Sequence, residues 1–148
     1  MAQDNSQRVR DIMTANPSTV SEKDTIRDVA RIMADQDTGA VPVVDGKKIV
    51  GMITDRDIVV RLVAEGKDPA GARVHEAMTN SVRSVREDSS VDEVMQMMSN
   101  AQVRRVPVVD RNDELVGIVS FGDIATETNK SGKVGKAIEE ISEGRANN

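Results

Sequence analysis

The chain has no cysteine, no tryptophan and no tyrosine, and Phe121 is its one aromatic residue. Without cysteine it can form no disulfide, offer no thiol nucleophile and build no thiolate metal site. His75 is the lone histidine. It has no second histidine or cysteine with which to share a zinc ion, so no metal is expected. A catalytic triad is excluded for lack of a base beside any serine. No glycine-rich loop fits a P-loop or a dinucleotide fingerprint. Basic excess is missing too: the formal charge is −5, which argues against a nucleic-acid backbone as partner. No apolar run approaches a membrane span. Residues 1–7 lack the basic and apolar regions of a signal peptide, so a cytoplasmic location is expected. With so few aromatics the core must be aliphatic, and eight methionines supply adaptable filler. The acidic pairs Glu87-Asp88 and Asp35-x-Asp37 read as solvated charge.

What is present is written twice. Val9-Arg10-Asp11-Ile12-Met13-Thr14 returns as Val74-His75-Glu76-Ala77-Met78-Thr79, a shift of 65 residues (74 − 9). Val41-Pro42-Val43-Val44-Asp45 returns at the same shift as Val106-Pro107-Val108-Val109-Asp110. Gly51 returns as Gly117 one residue later, so the second turn is longer by one. Two copies of about sixty residues are too few for a solenoid and suggest a pseudo-twofold pair.

Each copy predicts the same elements. A short turn at Val9–Met13 stops before Asn16-Pro17, and Ser18–Val20 is a strand candidate. Thr25-x-x-Asp28 opens a helix to about Gln36, with Ile26, Val29, Ala30 and Met33 on one face. Gly39 is available for its left-handed cap. Ser90-x-x-Glu93 opens the matching helix, with Val91, Val94, Met95 and Met98 inward and Met97 off the stripe. Two apolar strands around a polar turn then run into a helix, about Arg56 to Glu65 in the first copy and Asp123 to Thr128 in the second. Ile58, Val59, Val60, Leu62 and Val63 make the first of these apolar on more than one face. The expected division is a disordered start at 1–7, copies at 8–66 and 74–128, and a linker at 67–73. Residues 129–148 should hold an appended helix (Val134–Ser142) and a tail.

The strand-to-helix junction carries the chemistry. Thr54-x-x-Asp57 and Ser120-x-x-Asp123 each place a hydroxyl three residues before a carboxylate. One reading is a capping box, hydroxyl on the N3 amide and carboxylate on the N-cap amide. The other is a polar cradle at a helix N-terminus, which suits an anion.

The order strand–helix–strand–strand–helix, twice, resembles the CBS (cystathionine-β-synthase) domain. The resemblance rests on Asp11-Ile12-Met13-Thr14, on the two Val-Pro-Val-Val-Asp stretches, and on Gly51-Met52-Ile53-Thr54-Asp55-Arg56-Asp57-Ile58 with Gly117-Ile118-Val119-Ser120-x-x-Asp123-Ile124. It covers residues 8–127. It implies an α/β (α+β) tandem pair of β-α-β-β-α repeats with pseudo-twofold symmetry, and clefts that bind AMP, ADP, ATP or S-adenosylmethionine as regulatory ligand. No cofactor is required. It further implies that Asp57 and Asp123 hold ribose hydroxyls and that Thr54 and Ser120 touch ribose or phosphate. Val20, Val41 and Pro42, then Val85, Val106 and Pro107, would wall the adenine. A basic residue would meet phosphate, here Arg105 or Arg56.

The copies depart from each other at those basic positions. Arg104-Arg105 stands where the first copy has Gly39-Ala40, and Gly122 where it has Arg56. The two clefts should therefore differ. The expected function is a non-enzymatic sensor that binds an adenosine compound and signals to a separate partner. The alternative is a ligand-free, dimeric, stress-associated scaffold in which the motifs are only caps. A homodimer held by its helices is expected from the apolar surplus at Ile58–Val63 and from Met97.

Overall fold

The computed structural model describes residues 7–128. The Val134–Ser142 helix, the tail and all but Gln7 of the 1–7 segment lie outside the described residues. Among those described, no helix is long and apolar enough to cross a membrane.

In chain order the elements are α1 (Val9–Ile12), β1 (Thr14–Ala15), α2 (Ile26–Gln36), β2 (Ala40–Asp45), β3 (Lys48–Thr54) and α3 (Asp55–Ile58), which runs on as a π-helical turn (Val59–Val63). A 3₁₀ turn (Val74–Glu76) follows, then β4 (Val85–Arg86), α4 (Val91–Ala101), β5 (Arg105–Val109), β6 (Leu115–Ser120) and α5 (Phe121–Thr128). The chain forms two compact units. Unit I gathers the described parts of Met1–Asn16, Arg83–Asn112 and Val116–Asn148; unit II gathers Pro17–Val82 and Asp113–Leu115.

Unit I is built on a sheet of order β1-β6-β5-β4. β1 runs antiparallel to β6, with Thr14 opposite Ile118; β4 runs parallel to β5, with Val85 opposite Val108. The opening segment of the chain is thus fastened to the second copy's strands. The Val9 and Arg10 amides donate to the carbonyls of Ser89 and Glu87, and Asn16 N–H donates to Val116 O. Val9 joins Val94, Met98, Val106, Val108, Val119 and Ile124 in an aliphatic core that Phe121 completes.

Unit II repeats the plan with the other copy of each segment. β2 and β3 form a hairpin with a bulge between Val43 and Val44. Val20 alone of the expected Ser18–Val20 strand pairs, parallel to Val43. Met52 and Thr79 exchange two backbone bonds, at 3.0 and 2.8 Å. Pro42 faces Met52 in this hairpin. Because Met52 spends its backbone groups on Thr79, the missing Pro42 N–H breaks no hairpin bond. Val20, Ile26, Val29, Val41, Val43, Ile53, Leu62 and Val74 form this unit's core.

Helix starts follow the sequence expectation. Thr25 Oγ1 accepts from the Asp28 amide at 3.2 Å, without the reciprocal carboxylate bond. Ser90 and Glu93 make the full capping box at 3.0 and 3.1 Å. The Ser90 amide, then the Ser90 hydroxyl and the nearby Arg8 charge, hold the Glu93 carboxyl below its ordinary value. Helix ends differ from expectation. α2 closes on Asp37 in the left-handed region (φ 51), not on Gly39, and α4 closes on Gln102 (φ 56). Each cap amide reaches back four residues, to Met33 O and Met98 O. A polar residue accepts that conformation when the last carbonyls need a donor. Met97 is another correction: it is partly buried against the unit I core.

Candidate functional site

In unit II, β3 passes directly into α3, and the turn is made by Thr54 and Asp57. Thr54 keeps an extended backbone (φ −116, ψ 163), so its hydroxyl reaches the Asp57 amide at 3.1 Å. Asp57 Oδ2 returns to the Thr54 amide at 3.0 Å. Asp57 Oδ1 is engaged as well. The Thr79 hydroxyl lies 3.4 Å from it, and Arg61 Nε stands 4.0 Å away across one helical turn. Arg61 is itself anchored, with Nη1 donating to Met78 O at 2.8 Å and Ala77 O at 3.4 Å. Arg56 is exposed, with its amide on Asp55 Oδ1.

The matching junction in unit I has the same box and different surroundings. Asp123 Oδ2 accepts from the Ser120 amide at 3.0 Å, and Ser120 Oγ accepts from the Asp123 amide at 3.1 Å. Among the described residues Asp123 Oδ1 takes no further hydrogen bond. The α5 start is docked by Phe121 N–H on Arg104 O at 2.7 Å, as the α3 start is by Asp55 N–H on Gly39 O at 3.0 Å. Arg104 and Arg105 therefore enter β5 beside the α5 N-terminus, both exposed. In unit II that place holds Gly39-Ala40 with the Asp55 carboxylate against it.

The expected wall residues divide by depth. Val20, Val41 and Val106 are core side chains, and Val85 is partly buried against the core. Pro42 and Pro107 are buried as well. A ligand at either junction would meet their backbone more than their side chains. Thr54, Arg56, Asp57, Val20, Val41 and Pro42 all lie in unit II; Ser120, Asp123, Val85, Arg105, Val106 and Pro107 all lie in unit I. Sequence reasoning missed Arg61 and Thr79. Arg61 could have been found as the i,i+4 partner of Asp57. Thr79 becomes a neighbour only through the Met52 pairing, which local pattern does not carry.

The capping reading of the motif holds at both junctions. Both caps form, and each uses one carboxylate oxygen. The other oxygen is the one that could accept a hydroxyl from a ligand, since an ionised carboxylate offers about four lone-pair sites.

Comparison with known proteins places this chain. The CBS domain family model matches residues 9–64 and 74–129. An uncharacterised Bacillus subtilis protein, YlbB, is 41% identical over 139 residues, covering 93% of each chain. Hypoxic response protein 1 of Mycobacterium tuberculosis is 42% identical over 117 residues, 78% of this chain and 81% of that one. A crystal structure of Hypoxic Response Protein I holds two coordinated zinc ions and matches with a TM-score of 0.74 at 40% identity, over 81% of this chain and 98% of that chain. This chain lacks cysteine, and among its described residues no three His, Cys, Asp or Glu side chains gather where they could hold a metal. A CBS domain pair crystallised with 5′-methylthioadenosine and S-adenosyl-L-methionine matches with a TM-score of 0.76 at 33% identity, over 85% of this chain and 98% of that chain.

Proposed function

The chain belongs to the CBS domain family, and from that premise we propose that it is a cytoplasmic, non-enzymatic regulatory module. It binds an adenosine-containing ligand (AMP, ADP, ATP or S-adenosylmethionine) and signals occupancy to a separate protein. The observation that carries the reading is the duplicated strand-to-helix carboxylate, with the Asp123 outer oxygen open among the described residues. A carboxylate accepts two hydroxyls, and the free amides of a helix start favour phosphate. The solved CBS pair with adenosine-type ligands, 33% identical, gives the ligand class its support.

The unit I junction is the better home for a phosphate-bearing ligand. Arg104 and Arg105 stand beside it, whereas Asp55 stands at the equivalent place in unit II. Arg56 is the only basic residue that the unit II motif itself supplies. A ligand-free scaffold is the second reading, and the two complete capping boxes favour it: both motifs have a structural job without ligand.

A thermal-shift panel of AMP, ADP, ATP, S-adenosylmethionine and NAD, followed by calorimetry, separates the two. A true ligand at a hundred times its Kd stabilises by about 2.7 kcal/mol. Asp123→Asn, which can still accept the cap bond, should weaken binding while leaving the melting temperature of the free protein near wild type. If no compound shifts the transition, the scaffold reading stands and the sensor reading fails.

We also propose a homodimer. Val59, Val60 and Val63 are 56%, 49% and 59% exposed, one apolar patch on the π-helical turn. A twofold contact would cover it with the same patch from a second chain.

A further inference from the structure

We infer that Arg61 is an intramolecular clamp that closes the first copy's carboxylate, leaving Asp123 as the one open to a ligand diol. The inference rests on the reading of these carboxylates as ligand holders. Asp57 has one oxygen in its cap bond. Its other oxygen faces the Thr79 hydroxyl and the Arg61 guanidinium. An exposed ion pair at 4.0 Å is worth little by itself. Arg61, however, is already pinned by the Met78 and Ala77 carbonyls. Its position beside Asp57 costs no further side-chain ordering, and the carboxylate side chain is only 14% exposed.

Among the described residues the second copy makes neither contact. Four residues after Asp123 stands Glu127, which cannot donate and would repel. Thr14 occupies the place of Thr79 in the repeat but, among the described residues, makes no bond to Asp123. The helix differs as well: it widens to a π turn over Val59–Val63 in the first copy, whereas α5 is α-helical throughout Phe121–Thr128. Such π turns recur at functional sites. A ribose-like diol must therefore displace Arg61 and Thr79 to use Asp57, and displaces none of the described residues to use Asp123. Displacement would also release the Ala77–Thr79 turn from α3, so occupancy of the first copy is mechanically tied to the Met52–Thr79 pairing.

The test has a ligand-free arm and a binding arm, with Arg61→Met as the variant and Arg61→Gln in its place should the first not fold. By hydrogen exchange, the Thr79 and Met52 amides should open about 2- to 10-fold faster in the variant, the factor expected for one lost hydrogen bond. The Phe121 amide should be unchanged. By calorimetry with AMP, the wild-type chain should bind one equivalent, lost in Asp123→Asn, and the Arg61 variant should bind two. Unchanged exchange overturns the clamp. So do two equal sites in the wild type, a single site in the variant, or wild-type binding that survives Asp123→Asn. Absence of AMP binding in every protein sinks the ligand reading, while the exchange arm still decides whether Arg61 holds the turn.

Discussion

Replacing Gly51 by alanine should cost stability out of proportion to one methyl group. Gly51 is buried in β3 opposite Val43. A Cβ there would stand 2.7 Å from the Thr79 carbonyl oxygen and 3.4 Å from Met78 Sδ. Carbon and oxygen tolerate roughly 3.3 Å, so the Thr79 backbone must retreat by about half an ångström. That backbone is held by the paired bonds to Met52 at 3.0 and 2.8 Å, and retreat stretches both. Overpacking of this kind costs about 1–3 kcal/mol, and each weakened bond about 0.5–1.5 kcal/mol. Partial relaxation leaves an expected loss of about 2–4 kcal/mol, a large part of a typical 5–15 kcal/mol total. Equilibrium urea unfolding reads it as a lower midpoint at unchanged slope. Gly71→Ala is the internal control: no atom lies within 4 Å of its Cβ site and its φ is not positive. It should be neutral or gain about 0.4–1 kcal/mol. Gly51→Ala within about 0.5 kcal/mol of wild type, or Gly71→Ala losing as much, would refute the close-approach account.

Leu62 is fully buried; Leu62→Ala should cost about 2–5 kcal/mol, measured by the same unfolding assay. Val60→Asp should convert a dimer to monomer in sedimentation velocity; a wild-type mass of 16.0 kDa at micromolar concentration would end the dimer proposal. Glu93 titrates below its ordinary value of 4.5, chiefly because of the Ser90 amide. Its contribution is present above that value and is lost as pH falls through the lower folded-state value. Glu93→Gln should therefore flatten the acid limb of the midpoint-against-pH curve, and an unchanged limb would count against the capping account.

Much of the local structure was legible because its causes are local. Thr25, Thr54, Ser90 and Ser120 all start helices where the hydroxyl-to-acid spacing says they should. Ile26 and Val29, or Val94 and Met98, are buried as a 3.6-residue period requires. Gly39 misled because glycine is a frequent helix terminator, yet Asp37 adopted the left-handed cap two residues earlier. The π turn at Val59–Val63 leaves no mark in an apolar run. Arg61 and Thr79 were passed over for different reasons. The arginine spacing was readable, but Thr79 reaches Asp57 only because its segment lies along β3. The two carboxylates look alike in sequence and are distinguished by partners that arrive from elsewhere in the chain.

The fastening of α1 and β1 onto β6, and of the Val74–Thr79 segment onto β3, bears on how the chain is made. The repeating stretch and the compact unit are not the same piece. On a ribosome, Pro17–Val82 carries nearly all of unit II and can begin to condense early. Within residues 7–16, Val9 and Arg10 must wait about 80 residues for Ser89 and Glu87, and β1 about 100 residues for β6, which is roughly 4–20 s at ordinary elongation rates. Val9 and Met13 are apolar and unburied for that interval, and their pairing is of high contact order, the slow kind. A fragment ending near residue 66 would lack Val74 and Thr79, and one beginning near residue 74 would lack Val9 and β1. Neither copy of the motif alone contains everything that its own unit is made of.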